Sequence, residues 1–294
     1  EPVHNLVHRE RMTSRGMSFS SRRVSDGQAS EFLASRDNWF RPVHVRTGPD
    51  GCLWIADMYR LVIEHPKWIP ADWQKRLDLR AGHHLGRIYR VVPVGTTPRR
   101  VPRLDRLDTA GLVRALDSPN GWQRDMVQQL LIDRGDRRAL KPLLKQAVSS
   151  PRPLGRLHSL CAADGLGGLT SAVIATALAD KHPGVRRHAV RLAESLPEIT
   201  AGVFKRLGGL LDDPDPQVRL QLAFSSGAVG TPEQQGHLLA PLLQAAKGQR
   251  FLEPAVMSSL SQANITHVIT QVFEQADNSK SGTDDLLARL LELD

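Results

Sequence analysis

Two patterns of apolar and polar positions divide the chain. From about residue 103 onward, apolar side chains recur at helical spacing. Val185, Ala189, Leu192 and Leu196 stand at offsets of 4, 3 and 4, which is one face of a helix. Val203, Leu207, Leu210 and Leu211 mark a partner helix, and Asp212-Asp213-Pro214-Asp215-Pro216 breaks the chain after it. Before residue 95 the period is two. Arg41 to Arg46 places Val43 and Val45 on one face of a strand. Gly48-Pro49-Asp50-Gly51 is a tight turn with Pro at its second position. Cys52 to Met58 predicts an apolar strand buried on both faces for most of its length, and Gly86 to Pro93 a third strand closed by proline. Between these two lies a long excursion, 60–85. Upstream, Val3 to Glu10 and Met17 to Val24 predict a hairpin around Gly16.

The helical part repeats itself. Pro119, Pro151, Pro183 and Pro216 are 32, 32 and 33 residues apart, each before an apolar-periodic segment, where proline opens a helix without losing a needed N–H. Arg124, Arg156, Arg186 and Arg219 follow at spacings of 32, 30 and 33. PLLKQA (142–147) and PLLQAA (241–246) are 99 residues apart, three periods of 33. A helix pair this small cannot bury its stripe alone, so neighbours must stack, with Leu130, Leu160, Leu192, Leu207 and Leu222 inside. The Asp/Pro turn followed by Val-Arg resembles HEAT repeats, about five units over 103–294. That resemblance implies a spacer or scaffold with a concave binding face. The aligned arginines read as helix-start residues bonded to the neighbouring unit, and His158 and His188 as equivalent repeat positions rather than metal ligands.

Composition sharpens the division. The chain has 294 residues and a formal charge of +8. Residues 1–102 hold 17 Lys/Arg against 10 Asp/Glu, while 103–294 hold 22 against 21. The near-neutral repeats give nucleic-acid binding little support. Among Trp and Tyr, only Trp122 follows residue 95. The reading is a strand-rich part over 1–95, a linker over 96–104 and helical repeats over 105–294. No apolar run is long enough to span a bilayer. Cys52 and Cys161 are too far apart in sequence for a C-x-x-C-H haem attachment or a cysteine zinc site, and P-loop, H-E-x-x-H and nicotinamide-binding glycine motifs are absent.

A short strand, a tight turn, a buried strand ending in Asp57, an excursion and an outer strand read as one propeller blade. About 95 residues supply two blades where a closed propeller needs four to eight, so the pattern predicts a chain that begins inside its domain. EPVHNLVHRE (1–10), SRDNWFRPVHVRTGPDGCLWIADMYRLVIEHPKWIP (35–70) and LDLRAGHHLGRIYRVVP (77–93) resemble the end of the PVC-type membrane-bound dehydrogenase-like proteins. That family is abundant in Planctomycetes and Verrucomicrobia, and joins a propeller similar to glucose/sorbosone dehydrogenases to HEAT-like repeats. The expected fold is therefore a mixed two-part chain, a partial β-propeller of final blades followed by an all-α HEAT-like solenoid.

The resemblance implies a periplasmic or extracytoplasmic setting and the C-terminal portion of a quinoprotein-like sugar or alcohol dehydrogenase, or a related redox protein. Pyrroloquinoline quinone and Ca2+ are the cofactors it suggests for the intact protein, with c-type haem only in a further domain. It also suggests an electron-accepting cytochrome or another protein docked on the repeats. A carbohydrate would be the substrate, and this stretch alone would be inactive. The alternative is a non-catalytic scaffold for protein or carbohydrate.

Seven residues are the candidate site. Asp57, at the end of a buried strand, would bind a cation or act as a base, or else would cap the following turn. Glu64 and His65 begin the excursion and would supply a base or ligand. Otherwise Trp68 and Trp73 simply pin that loop. Arg41 and Arg60 would meet the acids of a quinone, or else form salt bridges. His4 and Asn5 form a polar patch on the preceding strand. Asp57, Glu64 and His65 form the catalytic set. His4, Asn5, Arg41 and Arg60 form the cofactor-binding set.

Overall fold

The computed structural model describes residues 1–276. It contains two compact units. One comprises Glu1–Arg15, Phe19–Arg103 and Asn120–Gln123; the other comprises Gly16–Ser18, Leu104–Pro119 and Arg124 onward.

The first unit holds seven strands: β1 (Leu6–Val7), β2 (Glu10–Arg15), β3 (Ser18–Arg23), β4 (Leu33–Ala34), β5 (Pro42–Thr47), β6 (Leu53–Asp57) and β7 (Arg87–Val91). They make three separate antiparallel sheets: β1 with β4, β2 with β3, and the order β5-β6-β7. In the largest sheet Val45, Ile55 and Tyr89 stand in register. Ile55 is fully buried, and the ring of Phe40 meets Tyr89 edge-on at 5.7 Å. The turn between β5 and β6 is fixed from inside. Asp50 accepts from the Cys52 N–H at 3.0 Å, the Trp54 indole at 3.0 Å and Arg90 at 3.2 Å. Burial works to raise the Asp50 pKa, but the bonds from Trp54 and Cys52 hold the carboxyl below its usual range. The indole lies so close over Gly48 that a Cβ there would fall 2.3 Å from the Trp54 Nε1. A short helix, α1 (Ala71–Gln74), sits in the excursion.

The rest is helical: α2 (Thr109–Leu116), α3 (Gly121–Arg134), α4 (Leu140–Ser149), α5 (Pro153–Gly165), α6 (Ser171–Ala177) and α7 (Pro183–Ala193), then α8 (Ala201–Gly208), α9 (Pro216–Ser225), α10 (Pro232–Ala246), α11 (Leu252–Met257) and α12 (Ile265–Ala276). Their starts follow from sequence. Pro183 and Pro216 occupy the first helical turn, and Thr170, Thr200, Asp215 and Thr231 each accept a backbone N–H as caps. Pro151 lies two residues early, because Pro153 takes the opening position of α5. The helices pack in two rows. α5, α7, α9 and α11 follow one another in one row, and α4, α6, α8, α10 and α12 in the other. Val185, Ala189, Leu192, Val203, Leu207 and Leu222 fill the space between them. Leu160 is also fully buried, but Leu130 is only half-buried, and its neighbour Leu131 takes the core position with Val127.

These observations correct the expected fold class. Among the described residues there is no propeller, and the chain is not a propeller followed by a solenoid. Among the described residues, twelve α-helices and a few 3-10 turns, 47% helical in all, accompany small antiparallel sheets lying mostly within residues 1–90. A blade is a four-stranded sheet covered by its neighbours. Here the largest sheet has three strands, and Val43 and Ile88 stand 52% and 69% exposed. The upstream strands pair among themselves instead of extending it. In β6 only Ile55 and Asp57 are buried, while Leu53, Trp54 and Ala56 are half-buried, so the strand is not covered on both faces. The expected helical segment over 277–294 lies outside the described residues.

Candidate functional site

Asp57 ends β6 with 3% of its surface exposed. A bulge between Pro42 and His44 takes the start of β5 out of the regular ladder. The freed Arg41 N–H is accepted by Asp57 Oδ1 at 2.7 Å, and the same oxygen accepts the Tyr59 N–H at 2.9 Å. Tyr59 has a φ of 49°, a left-handed conformation that a side chain rarely adopts unless a local acceptor rewards it. Gly82 lies directly behind. Its own φ is 85°, and a Cβ would meet the Tyr59 carbonyl at 2.2 Å. Asp57 therefore performs the work of a turn cap. Its second oxygen, Oδ2, is buried with no hydrogen-bond partner.

Arg41 is equally committed. Its Nε donates to the Arg60 carbonyl at 2.9 Å and Nη2 to the Leu61 carbonyl at 2.9 Å. Nη1 reaches the carbonyls of Pro2 and Val3 at 3.0 and 3.3 Å. One side chain thus ties the first residues of the chain to the turn after β6. Asn5, itself at a φ of 58°, adds a second tie, donating to the Phe40 carbonyl at 2.6 Å. Arg60 points away, to the Arg80 carbonyl at 2.8 Å.

The remaining candidates stand apart from that knot. Glu64 is exposed and accepts only its neighbour's Ile63 N–H at 3.3 Å. His65 is an exposed cap whose Nδ1 accepts the Lys67 N–H at 3.1 Å. His4 is 73% exposed, 3.5 Å from Glu1. Trp68 and Trp73 are 75% and 62% exposed, so they do not pin the excursion. Gln74 does, by donating to the carbonyls of Pro66 at 2.9 Å and Ile69 at 2.7 Å. The structure brings Arg41, Asp57, Asn5 and the Arg60 backbone together, and leaves His4, Glu64 and His65 on the surface.

Arg41 does not fit the role of binding a quinone that the resemblance suggests. A quinone's acids need free guanidinium donors. Every guanidinium nitrogen of Arg41 is already on a carbonyl. Among the described residues, no three His, Cys, Asp or Glu side chains gather as a cation site.

In the helical unit the aligned arginines form a relay. Arg124, Arg156, Arg186 and Arg219 each donate to the carbonyl six residues back, at Ser118, Ser150, Asp180 and Asp213. Arg156 also grips the Asp180 carboxylate with two bonds of 2.6 and 2.7 Å, and Arg186 grips Asp213 with two of 2.7 and 2.8 Å. Each residue that receives an arginine's second grip thus supplies the carbonyl for the next arginine. Ser150 stands where Asp180 and Asp213 stand in the later turns, and the buried Arg124 Nε has no partner. A hollow of about 760 Å³ opens beside the relay, between Asp180, Arg186, Lys205, Arg206 and Asp213. His158, on α5, bonds Gln128 at 2.8 Å.

Set beside known proteins, the strand-rich stretch has a counterpart. No curated protein matches the chain. Residues 1–95, which hold β1 to β7 and the Arg41–Asp57 knot, are similar to a family described as a domain of unknown function (DUF7133).

Proposed function

We propose that this chain is a non-catalytic scaffold, with the helical unit as the surface that holds a partner protein. The observation that carries this reading is the state of one catalytic and one cofactor-binding candidate, Asp57 and Arg41. Asp57 Oδ1 and the whole Arg41 guanidinium are spent on backbone groups, so both are structural. The arginine relay supports the other half of the reading. Bidentate pairs link successive turns of the helical unit into a stiff frame, and a stiff frame loses little entropy when it binds.

A second reading keeps a redox role for residues 1–95 within a longer protein. It rests on the orphaned Asp57 Oδ2, a buried carboxylate oxygen left without a hydrogen-bond donor. Panning the whole chain against a displayed random-peptide library separates the two. The scaffold reading expects enriched peptides that bind reversibly and bind Asp57→Asn equally well. No enrichment, or reduction of an artificial electron acceptor with a sugar that Asp57→Asn abolishes, contradicts it.

A further inference from the structure

A small cavity of about 280 Å³ lies between α7 and α9. From α7 it takes Arg187, His188 and Arg191, and from α9 Gln217, Leu220 and Phe224. The His188 Nδ1 and the Gln217 Nε2 are both buried side-chain atoms without a hydrogen-bond partner. Both atoms lie beneath the lining, so the groups a ligand would meet are the Arg187 and Arg191 side chains and the apolar residues beside them.

The chemistry of the lining selects that ligand. Arg187 and Arg191 are one helical turn apart, and neither is in an ion pair among the described residues. No acidic side chain lines the cavity. Burial, then Arg187 and Arg191, depress the His188 pKa, which leaves the ring neutral near pH 7 and the positive charge on the two arginines. The far wall is apolar: Leu220 is half-buried and Phe224 is 53% exposed. The volume is below that of a typical cofactor pocket and suits one or two side chains.

We infer that the α7–α9 cavity binds an acidic peptide segment of a partner protein, a carboxylate held by Arg187 and Arg191 with an adjoining apolar side chain on Leu220 and Phe224. This rests on the scaffold reading and specifies where the partner docks. Arginine is the suited residue, because its planar fork matches a carboxylate in a way that a lysine ammonium does not. Charge complementarity is the argument for a peptide carboxylate over an uncharged sugar, which would leave both guanidinium groups unpaired.

The test uses the whole chain and two capped, fluorescein-labelled tetrapeptides, one with adjacent glutamate and phenylalanine, the other with glutamine for the glutamate. Fluorescence polarisation should show the glutamate peptide binding about tenfold more tightly, and weakening as salt is raised. Arg187→Ala should remove that preference, Arg187→Lys should restore part of it, and Phe224→Ala should weaken both peptides alike. Circular dichroism checks that each variant keeps its helices. Equal binding of the two peptides, or competition by free acetate at the concentration of the peptide itself, overturns the proposal. If library peptides bind the chain but the glutamate peptide does not, the site is wrong and the scaffold stands; if nothing binds, both fail.

Discussion

At the scale of single residues, placement decides role. Asp57 and Arg41 have the chemistry of a catalytic pair, yet what they touch is backbone. The capping role predicts a specific asymmetry. Asp57→Asn keeps the Oδ1 acceptor for the Arg41 and Tyr59 N–H groups, whereas Asp57→Ala strands both in a buried place. Urea denaturation should show Asp57→Ala losing about 1–3 kcal/mol and Asp57→Asn distinctly less. Equal losses would show that charge, not the cap, matters. The histidines give a second prediction. His8 is bonded by Glu31 at 2.7 Å and Glu10 at 3.1 Å, and these bonds raise its pKa above the ordinary 6.5. What it adds to stability is fully present below that value and is lost as pH rises through the raised one. His158 and His188 are depressed, chiefly by burial and then by nearby arginines, so each costs stability as pH falls from 6.5 toward its lowered value. NMR titration of the ring protons should place His8 above 6.5 and the other two below. His188 titrating with His8 would contradict its burial.

At the scale of elements, the sequence speaks clearly about starts and faces. Pro183 and Pro216 open α7 and α9, and the stripe Val185, Ala189, Leu192 is buried as the period requires. Of the aligned arginines expected to bond the neighbouring unit, Arg156 and Arg186 do so through Asp180 and Asp213, and all four also reach a carbonyl six residues back. Register is less secure where the pattern is weak. In α3, Leu130 and Leu131 are adjacent, and only the packing tells which faces inward. Leu131→Ala should therefore cost about 2–5 kcal/mol as a cavity-forming change, and Leu130→Ala clearly less. Thermal melts of the two variants check this, and the reverse order would refute the register. Strand periodicity marks β5, β6 and β7, but it does not say which strands pair. β1 joins β4 rather than the hairpin predicted around Gly16, which forms instead between β2 and β3. Pairing across some 27 residues is a tertiary choice that alternation does not encode.

At the scale of the whole molecule, blade-like order along the chain suggested a propeller that the sheets do not form. A strand, a turn and a strand look the same in sequence whether or not a fourth strand covers them. The candidate site was partly legible for the same reason. Arg41 and Asp57 do meet, because an antiparallel turn joins their strands, but the carbonyls of Pro2, Val3, Arg60 and Leu61 that occupy Arg41 come from loops whose course no periodicity reveals. The α7–α9 cavity left only a faint trace, the recurrence of His158 and His188, since its unpartnered atoms exist only after helices pack. The central claim is that the helical unit binds while the Arg41–Asp57 knot merely holds the chain together. Hydrogen–deuterium exchange on the whole chain, with and without its best library peptide, tests this most directly. The account predicts added protection in α7 and α9, none over residues 41–65, and a peptide recovered with its mass unchanged. Protection confined to 41–65, or a chemically altered peptide, would contradict it.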